Sequence, residues 1–287
     1  MKPTQLALLI SSAISLSSCA TAPTPAPVAP PPPVVAASTA VATTAPAIDN
    51  IDAVLAGAHR SAANRARDTY RHPKETLAFF GVTPASTVIE VWPGGAWYTE
   101  ILAPLVRSKG AYSAAFPAQS VRGLKNFQDK FAANPALYDK VKITPLGVPA
   151  ALDIKPAGGA DVVVTFRSVH NWLKDEWTDA FMKSFFNALK PGGVLGVVEH
   201  RAKPGTTVKE SIASGYVTEA FVIERALAAG FKLDAKSEIN ANASDTKDYP
   251  RGVWTLPPTL AEGQTDRAKF VAIGESDRMT LRFVKPL

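Results

Sequence analysis

Apolar residues along this chain recur in two rhythms. At 87–91, 111–116, 141–146, 161–166 and 194–199 they form short runs, mainly β-branched at 87–91 and mainly apolar through 161–166, the pattern of strands covered on both faces. Between these runs apolar positions return every three or four residues, at 98–106, at 121–133 and in the stripe Trp177, Phe181, Met182, Phe185, Phe186 and Leu189, which predicts helices. A helix over 217–229 closed by Gly230, and strands at 231–239 and 279–284, continue the series. Upstream, Ile48, Ile51, Val54, Leu55 and Ala58 predict an amphipathic helix running into the polar stretch 59–72, and Pro73 opens a second helix that stops at Gly81. Pro104 is expected to kink the helix that contains it. This alternation predicts an α/β fold with one doubly wound, mainly parallel, seven-stranded Rossmann-like sheet. Strand 279–284, reached through an irregular insertion at 240–277, is expected to run antiparallel.

The first 47 residues follow neither rhythm. Lys2 precedes an apolar stretch at 6–16, the length of an export-signal core and about half of what spans a bilayer. The stretch ends in Leu16-Ser17-Ser18-Cys19, which resembles the bacterial lipobox, and Ala20 fits the pattern sorted to the outer membrane. Residues 1–18 are therefore expected to be a lipoprotein signal peptide. Cys19 would carry the lipid that tethers the protein to the bacterial cell envelope, at the outer membrane and facing the periplasm. Residues 19–47, where eight Pro occur with no charge and no aromatic ring, predict a disordered, extended linker, which leaves 48–287 as the folded domain. Composition then narrows the classes: 46% hydrophobic and 20% charged residues are globular material. Lys plus Arg exceed Asp plus Glu by 31 to 25 but are scattered, so no nucleic-acid partner is expected. Cys19 is the only cysteine, which excludes an intramolecular disulfide and a Cys-based metal site.

In sheets of this type ligands lie beyond the carboxyl ends of the strands. Four segments should meet there. The first is the turn Glu90-Val91-Trp92-Pro93-Gly94-Gly95-Ala96-Trp97, where glycine permits close backbone approach. The second is 167–172, where His170 is a candidate general base, since a neutral imidazole can accept a proton, and Arg167 can pair with a carboxylate. The third, Glu199-His200-Arg201, reads equally well as a solvated surface cluster, and the fourth, His59 to His72, more readily as a charged helix face. Asp245, Lys247, Asp248, Arg251 and Trp254 in the insertion are candidates for a lid over substrate. No His pair has helical i, i+4 spacing and no HExxH occurs, so no metal site is expected.

Val88-Ile89-Glu90 with Gly94, Asp161-Val162-Val163-Val164 and Leu189-Lys190-Pro191-Gly192-Gly193, in this order of elements, resemble the class I S-adenosylmethionine-dependent methyltransferases over roughly residues 75–284. Trp92-Pro93-Gly94-Gly95-Ala96-Trp97-Tyr98 together with Arg167-Ser168-Val169-His170-Asn171-Trp172 is similar to a subgroup of exported bacterial proteins described as predicted methyltransferases. The resemblance implies S-adenosylmethionine as cofactor, held by Glu90, Trp92, Gly94, Gly95 and Ala96, and a small-molecule acceptor faced by His170 and Asn171, with Arg167 beside them. The family's acidic-x-Gly-x-Gly-x-Gly loop maps to Glu90, Trp92, Gly94 and Ala96, so one of its three glycines is present. Two other readings stay open: a non-catalytic, ligand-binding envelope lipoprotein that reuses the fold, and a hydrolase or metal-dependent enzyme on the same sheet.

Overall fold

The computed structural model describes residues 50–287. The expected signal peptide, the linker and Cys19 lie outside the described residues. Four short helices, α1 (Ile51–Ala56), α2 (Ala62–Arg65), α3 (Asp68–Arg71) and α4 (Pro73–Phe79), precede β1 (Thr87–Val91). Then follow α5 (Thr99–Val106), β2 (Ala111–Pro117), α6 (Val121–Ala132), α7 (Pro135–Tyr138), β3 (Lys142–Leu146) and β4 (Ala160–Phe166). The second half holds α8 (Val169–Leu173), α9 (Thr178–Ala188), β5 (Leu189–His200), α10 (Val208–Ser214), α11 (Glu219–Ala228) and β6 (Lys232–Ser237). A 3-10 turn (Gly252–Thr255), α12 (Arg267–Ile273) and β7 (Arg278–Val284) complete it.

The strands form one sheet in the order β3-β2-β1-β4-β5-β7-β6. All neighbours are parallel except β7, which runs antiparallel between β5 and β6, as its place after the insertion predicts. Alternate residues of each strand feed two cores, Ile89, Val163, Leu195 and Leu281 on one face, Val88, Val162 and Val164 on the other. Covering helices explain why β4 reads as a nearly continuous apolar run.

Three local differences from the sequence reading have physical causes. The Leu189–Gly193 turn is part of β5: Gly192 N–H donates to the Lys285 carbonyl and Lys285 N–H to that of Gly193, while the register against β4 jumps between Ala160 and Val162. The 59–72 segment breaks into α2 and α3 because Arg60 and Arg71, both 1% exposed, are drawn inward instead of lining a charged face. In α5, Pro104 lacks the N–H that would reach the Glu100 carbonyl, and His59 Nε2 donates to that oxygen at 2.9 Å in its place. Burial accordingly lowers the His59 pKa and keeps a neutral, donating imidazole there.

Candidate functional site

Beyond the carboxyl ends of β1, β2, β4 and β5 lies a cavity of about 510 Å³. The 92–95 turn, Arg167, Ser168, His170, Asn171 and His200 line it from the sheet side. Asn64 and Arg67 close it from the N-terminal helices, and Trp254, Pro257, Pro258, Thr259, Glu275 and Ser276 close it from the insertion. The register pairs His200 of β5 with Arg278 of β7, so the start of the antiparallel strand sits at the same edge as the ends of the parallel ones. That is how Glu275 and Ser276 reach the cavity.

The loop after β1 keeps a glycine-like path without the glycines. Trp92, Gly94 and Ala96, the three glycine positions of the motif, have φ of 47°, 55° and 63°. Left-handed φ costs a non-glycine residue on the order of 1 kcal/mol or more, and such strain gathers at ligand sites. Trp92 offsets it by packing: its ring meets Trp172, Trp177 and Phe181 edge-on at 6.1, 6.4 and 5.7 Å. Around the turn there is room, since a Cβ on Gly95 would meet nothing within 4 Å and one on Gly94 only the Trp92 carbonyl at 4.0 Å.

Glu90 does not line the cavity. Alternation turns it to the opposite face from Ile89 and Val91, where Oε2 accepts from Thr99 Oγ1 at 2.8 Å and Tyr112 Oη at 2.6 Å. It is 2% exposed, and burial pushes its carboxyl up to about 7 against the pull of those two hydrogen bonds. Ala96, 1% exposed, is also absent from the wall and acts through the turn it shapes.

The loop after β4 is a short helix, α8, and a carboxylate from β5 anchors it. Glu199, wholly buried, accepts from the N–H groups of Val169 (2.6 Å) and His170 (3.4 Å) through Oε2, and from His200 N–H (2.8 Å) through Oε1. Oε1 also holds His170 Nδ1 at 3.0 Å. With Nδ1–H donating to Glu199, the tautomer puts the lone pair on Nε2, which makes no hydrogen bond among the described residues. His200 Nδ1 meets Ser276 Oγ, and burial, with His170, Arg167, Arg278 and Arg71 nearby, pushes its pKa well below the usual value. The surface reading of Glu199 and His200 is therefore corrected: only Arg201 turns outward, to Asp277, Glu238 and Glu219.

His170, Glu199 and His200 have one ligand atom each within 4.8 Å of the others, the set in this site that could hold a metal ion. Both carboxylate oxygens already accept hydrogen bonds, and the surrounding guanidiniums oppose a dication. We assign no metal to it. Sequence spacing gave no sign of this cluster because its halves stand 29 residues apart and meet only when β4 and β5 pair.

A knot of arginines backs the cavity. Glu275, 3% exposed, meets Arg67 Nε at 2.6 Å, Arg71 Nε at 3.0 Å and Arg278 Nη1 at 3.2 Å. Burial alone would raise its carboxyl; Arg71, Arg278, Arg67 and Arg167 instead hold it at about 2. Arg60 and Arg71 lie over the Trp97 ring at 5.2 and 4.7 Å, and Arg60 forks onto both oxygens of Asp68 at 2.7 Å. Of the five lid candidates, Trp254 alone reaches the cavity. Asp245 is buried as an acceptor for Tyr216 Oη and Asp277 N–H, while Lys247 and Asp248 pair with Asp277 and Lys203.

No helix among the described residues is long and apolar enough to cross a membrane. No family model and no curated protein matches the chain. Solved structures match it by shape. A SAM-dependent methyltransferase from Aquifex aeolicus is 16% identical with TM-score 0.52, the match covering 76% of this chain and 92% of that one. The [4+2]-cyclase SpnF is 16% identical with TM-score 0.55, covering 81% and 86%. A putative sarcosine dimethylglycine methyltransferase from Galdieria sulphuraria is 14% identical with TM-score 0.50, covering 78% and 86%. The strand order, the reversed β7 and these matches agree on one point: the chain has the fold of the class I S-adenosylmethionine-dependent methyltransferases.

Proposed function

We propose that the domain binds S-adenosylmethionine across the 92–95 turn and transfers its methyl group to a small acceptor held beside His170. The observation that carries this reading is the turn itself, which keeps left-handed φ at all three glycine positions of the motif and borders the cavity with its open glycines. When bound, the cofactor supplies a methyl carbon on a positively charged sulfur, an electrophile that needs no further activation. What remains for the protein is to align, to exclude water and to take a proton. Gly94 and Gly95 admit the ligand to the backbone. Glu199 fixes the His170 ring, leaving Nε2 to accept the acceptor's proton, and Asn171, one residue on, offers a polar side chain to the same cavity. Arg167 supplies positive charge beside them. Glu90 acts at one remove, by holding β1, β2 and α5 together under the turn.

One observation favours the non-catalytic reading: the motif's acidic residue is engaged by Thr99 and Tyr112 and turned from the cavity. Titration calorimetry of the full-length protein with S-adenosylhomocysteine separates the two. Binding is expected, and Gly95→Val, whose Cβ has free space in the fold but enters the cavity, should abolish it without lowering Tm. His170→Gln should keep that affinity and lower kcat by about 100-fold or more. A folded protein that ignores millimolar ligand would favour the binding lipoprotein. In either reading we propose that the domain stands on the cell envelope, tethered through a lipid on Cys19 to the outer membrane and facing the periplasm.

A further inference from the structure

Arg167 is the one guanidinium of the arginine knot with no side-chain partner among the described residues. Arg278 Nε and Nη2 donate to the carbonyls of Ser276 at 3.0 Å and Tyr70 at 2.7 Å, as a structural arginine does. Arg67 and Arg71 hold Glu275 through Nε. Arg167 makes no hydrogen bond or ion pair through its side chain, yet lines the cavity from a residue held at φ 55°, with its own N–H donating to the Val198 carbonyl at 2.7 Å. Two nearby guanidiniums are only partly satisfied. Arg67 Nη2 and both Nη atoms of Arg71 are buried without an acceptor, and Arg71 is 1% exposed.

The nearby carboxylates cannot supply what is missing. Glu275 is shared by three guanidiniums, and Glu199 is taken up by three backbone N–H groups and His170. His200 is kept neutral, so four arginines face two carboxylates and the cavity carries excess positive charge. A guanidinium stays charged in any protein setting, and burial, which pushes Arg167 down to about 10, does not neutralise it. Arg167 is half-buried at the cavity wall, where a charge without a partner is costlier to keep than in open water, and an anion in the cavity removes that cost.

We propose that the cavity contains a carboxylate-recognition subsite in which Arg167, with Arg67 lining the same cavity, grips a ligand carboxylate through its free N–H fork. A planar carboxylate fits the fork bidentately. It comes either from the acceptor, which His170, three residues on, places on the same side of the site, or from the amino-acid part of the cofactor. The subsite rests on the free guanidinium and not on methyl transfer, so a protein without transferase activity still tests it.

The test uses the full-length protein and its Arg167→Gln and Arg167→Lys variants, titrated with benzoate, with S-adenosylhomocysteine and with 5′-methylthioadenosine, which lacks the amino-acid carboxylate. If the acceptor supplies the carboxylate, benzoate binds the parent in the presence of saturating S-adenosylhomocysteine and loses about 10-fold or more in affinity in Arg167→Gln. If the cofactor supplies it, benzoate competes with S-adenosylhomocysteine, and Arg167→Gln loses that ligand while retaining 5′-methylthioadenosine. In both cases Arg167→Lys, which keeps the charge without the fork, recovers part of the loss. Thermal unfolding is read in parallel. Removing an unpartnered, half-buried charge should leave Tm unchanged or raise it. The proposal is overturned if Arg167→Gln binds every probe as the parent does, or if its Tm drops steeply, which would make Arg167 a strut of the fold.

Discussion

Glu90 illustrates how one side chain can stand in a motif and serve a different end. Its carboxyl titrates at about 7 in the fold, against an ordinary value of 4.5 in the unfolded chain. Between those values the folded state holds a proton that the unfolded chain has already released. Stability therefore falls as pH rises through the window, and above it the full cost of a buried carboxylate is present. Gln keeps an oxygen able to accept from both Thr99 and Tyr112 but cannot ionise. Glu90→Gln is expected to raise Tm at about pH 8 by roughly 3 °C or more and to match the parent near pH 4, as followed by circular dichroism. A lower Tm at the alkaline end would show the ionised carboxylate to be a net stabiliser. The motif was legible in sequence at this position, but the direction of the side chain was not. Alternation sets Glu90 opposite Ile89 and Val91, but which of the two faces meets the cavity and which offers the partners Tyr112 of β2 and Thr99 of α5 is decided by distant parts of the chain.

At the scale of elements, the clearest constraint is Gly196. It sits in the middle of β5, paired with Val164 and Arg282, and a Cβ there would come within 2.6 to 2.8 Å of the Phe80 ring. Phe80 is wholly buried at the end of α4, so this glycine lets the last of the N-terminal helices lie against the sheet. Gly196→Ala should cost about 1–3 kcal/mol in urea unfolding. Phe80→Leu should be less damaging in that background than in the parent, and additive losses would show the two sites to be independent. Strand limits were readable to within a residue or two for β1 to β4, because a Gly or Pro (Pro93, Gly110, Gly147, Gly159) stands within two residues of an end of each. The helices α7, α8 and α10 escaped notice, as did α12 within the insertion expected to be irregular. Each is seven residues or shorter, too short for a period to show, and α8 is held by Glu199 from a distant strand. Glu275 escaped for a related reason. A reversed last strand already implies that the residues just before it stand at the ligand edge, yet Glu275-Ser276-Asp277-Arg278 reads locally as an ordinary polar loop.

For the whole molecule, the proposed lipid anchor makes a prediction that the folded domain does not influence. In a bacterial host, Cys19→Ala should abolish incorporation of labelled fatty acid and shift the protein out of the membrane fraction. Labelling that persists in the variant would sink the anchor. The domain's architecture has its own consequence. Arg67 and Glu275, 208 residues apart in sequence, are bonded across the back of the cavity, and Ser276 meets His200 only once β7 has slid between β5 and β6. A ribosome or a translocation channel delivers the chain from the other end. Until almost the last residue has emerged there is a sheet edge but no enclosure, so a half-made chain has nowhere to carry a passenger. The small molecule must already be waiting in whichever compartment holds the finished fold, and for a chain exported unfolded its supply there decides whether the pocket is ever used.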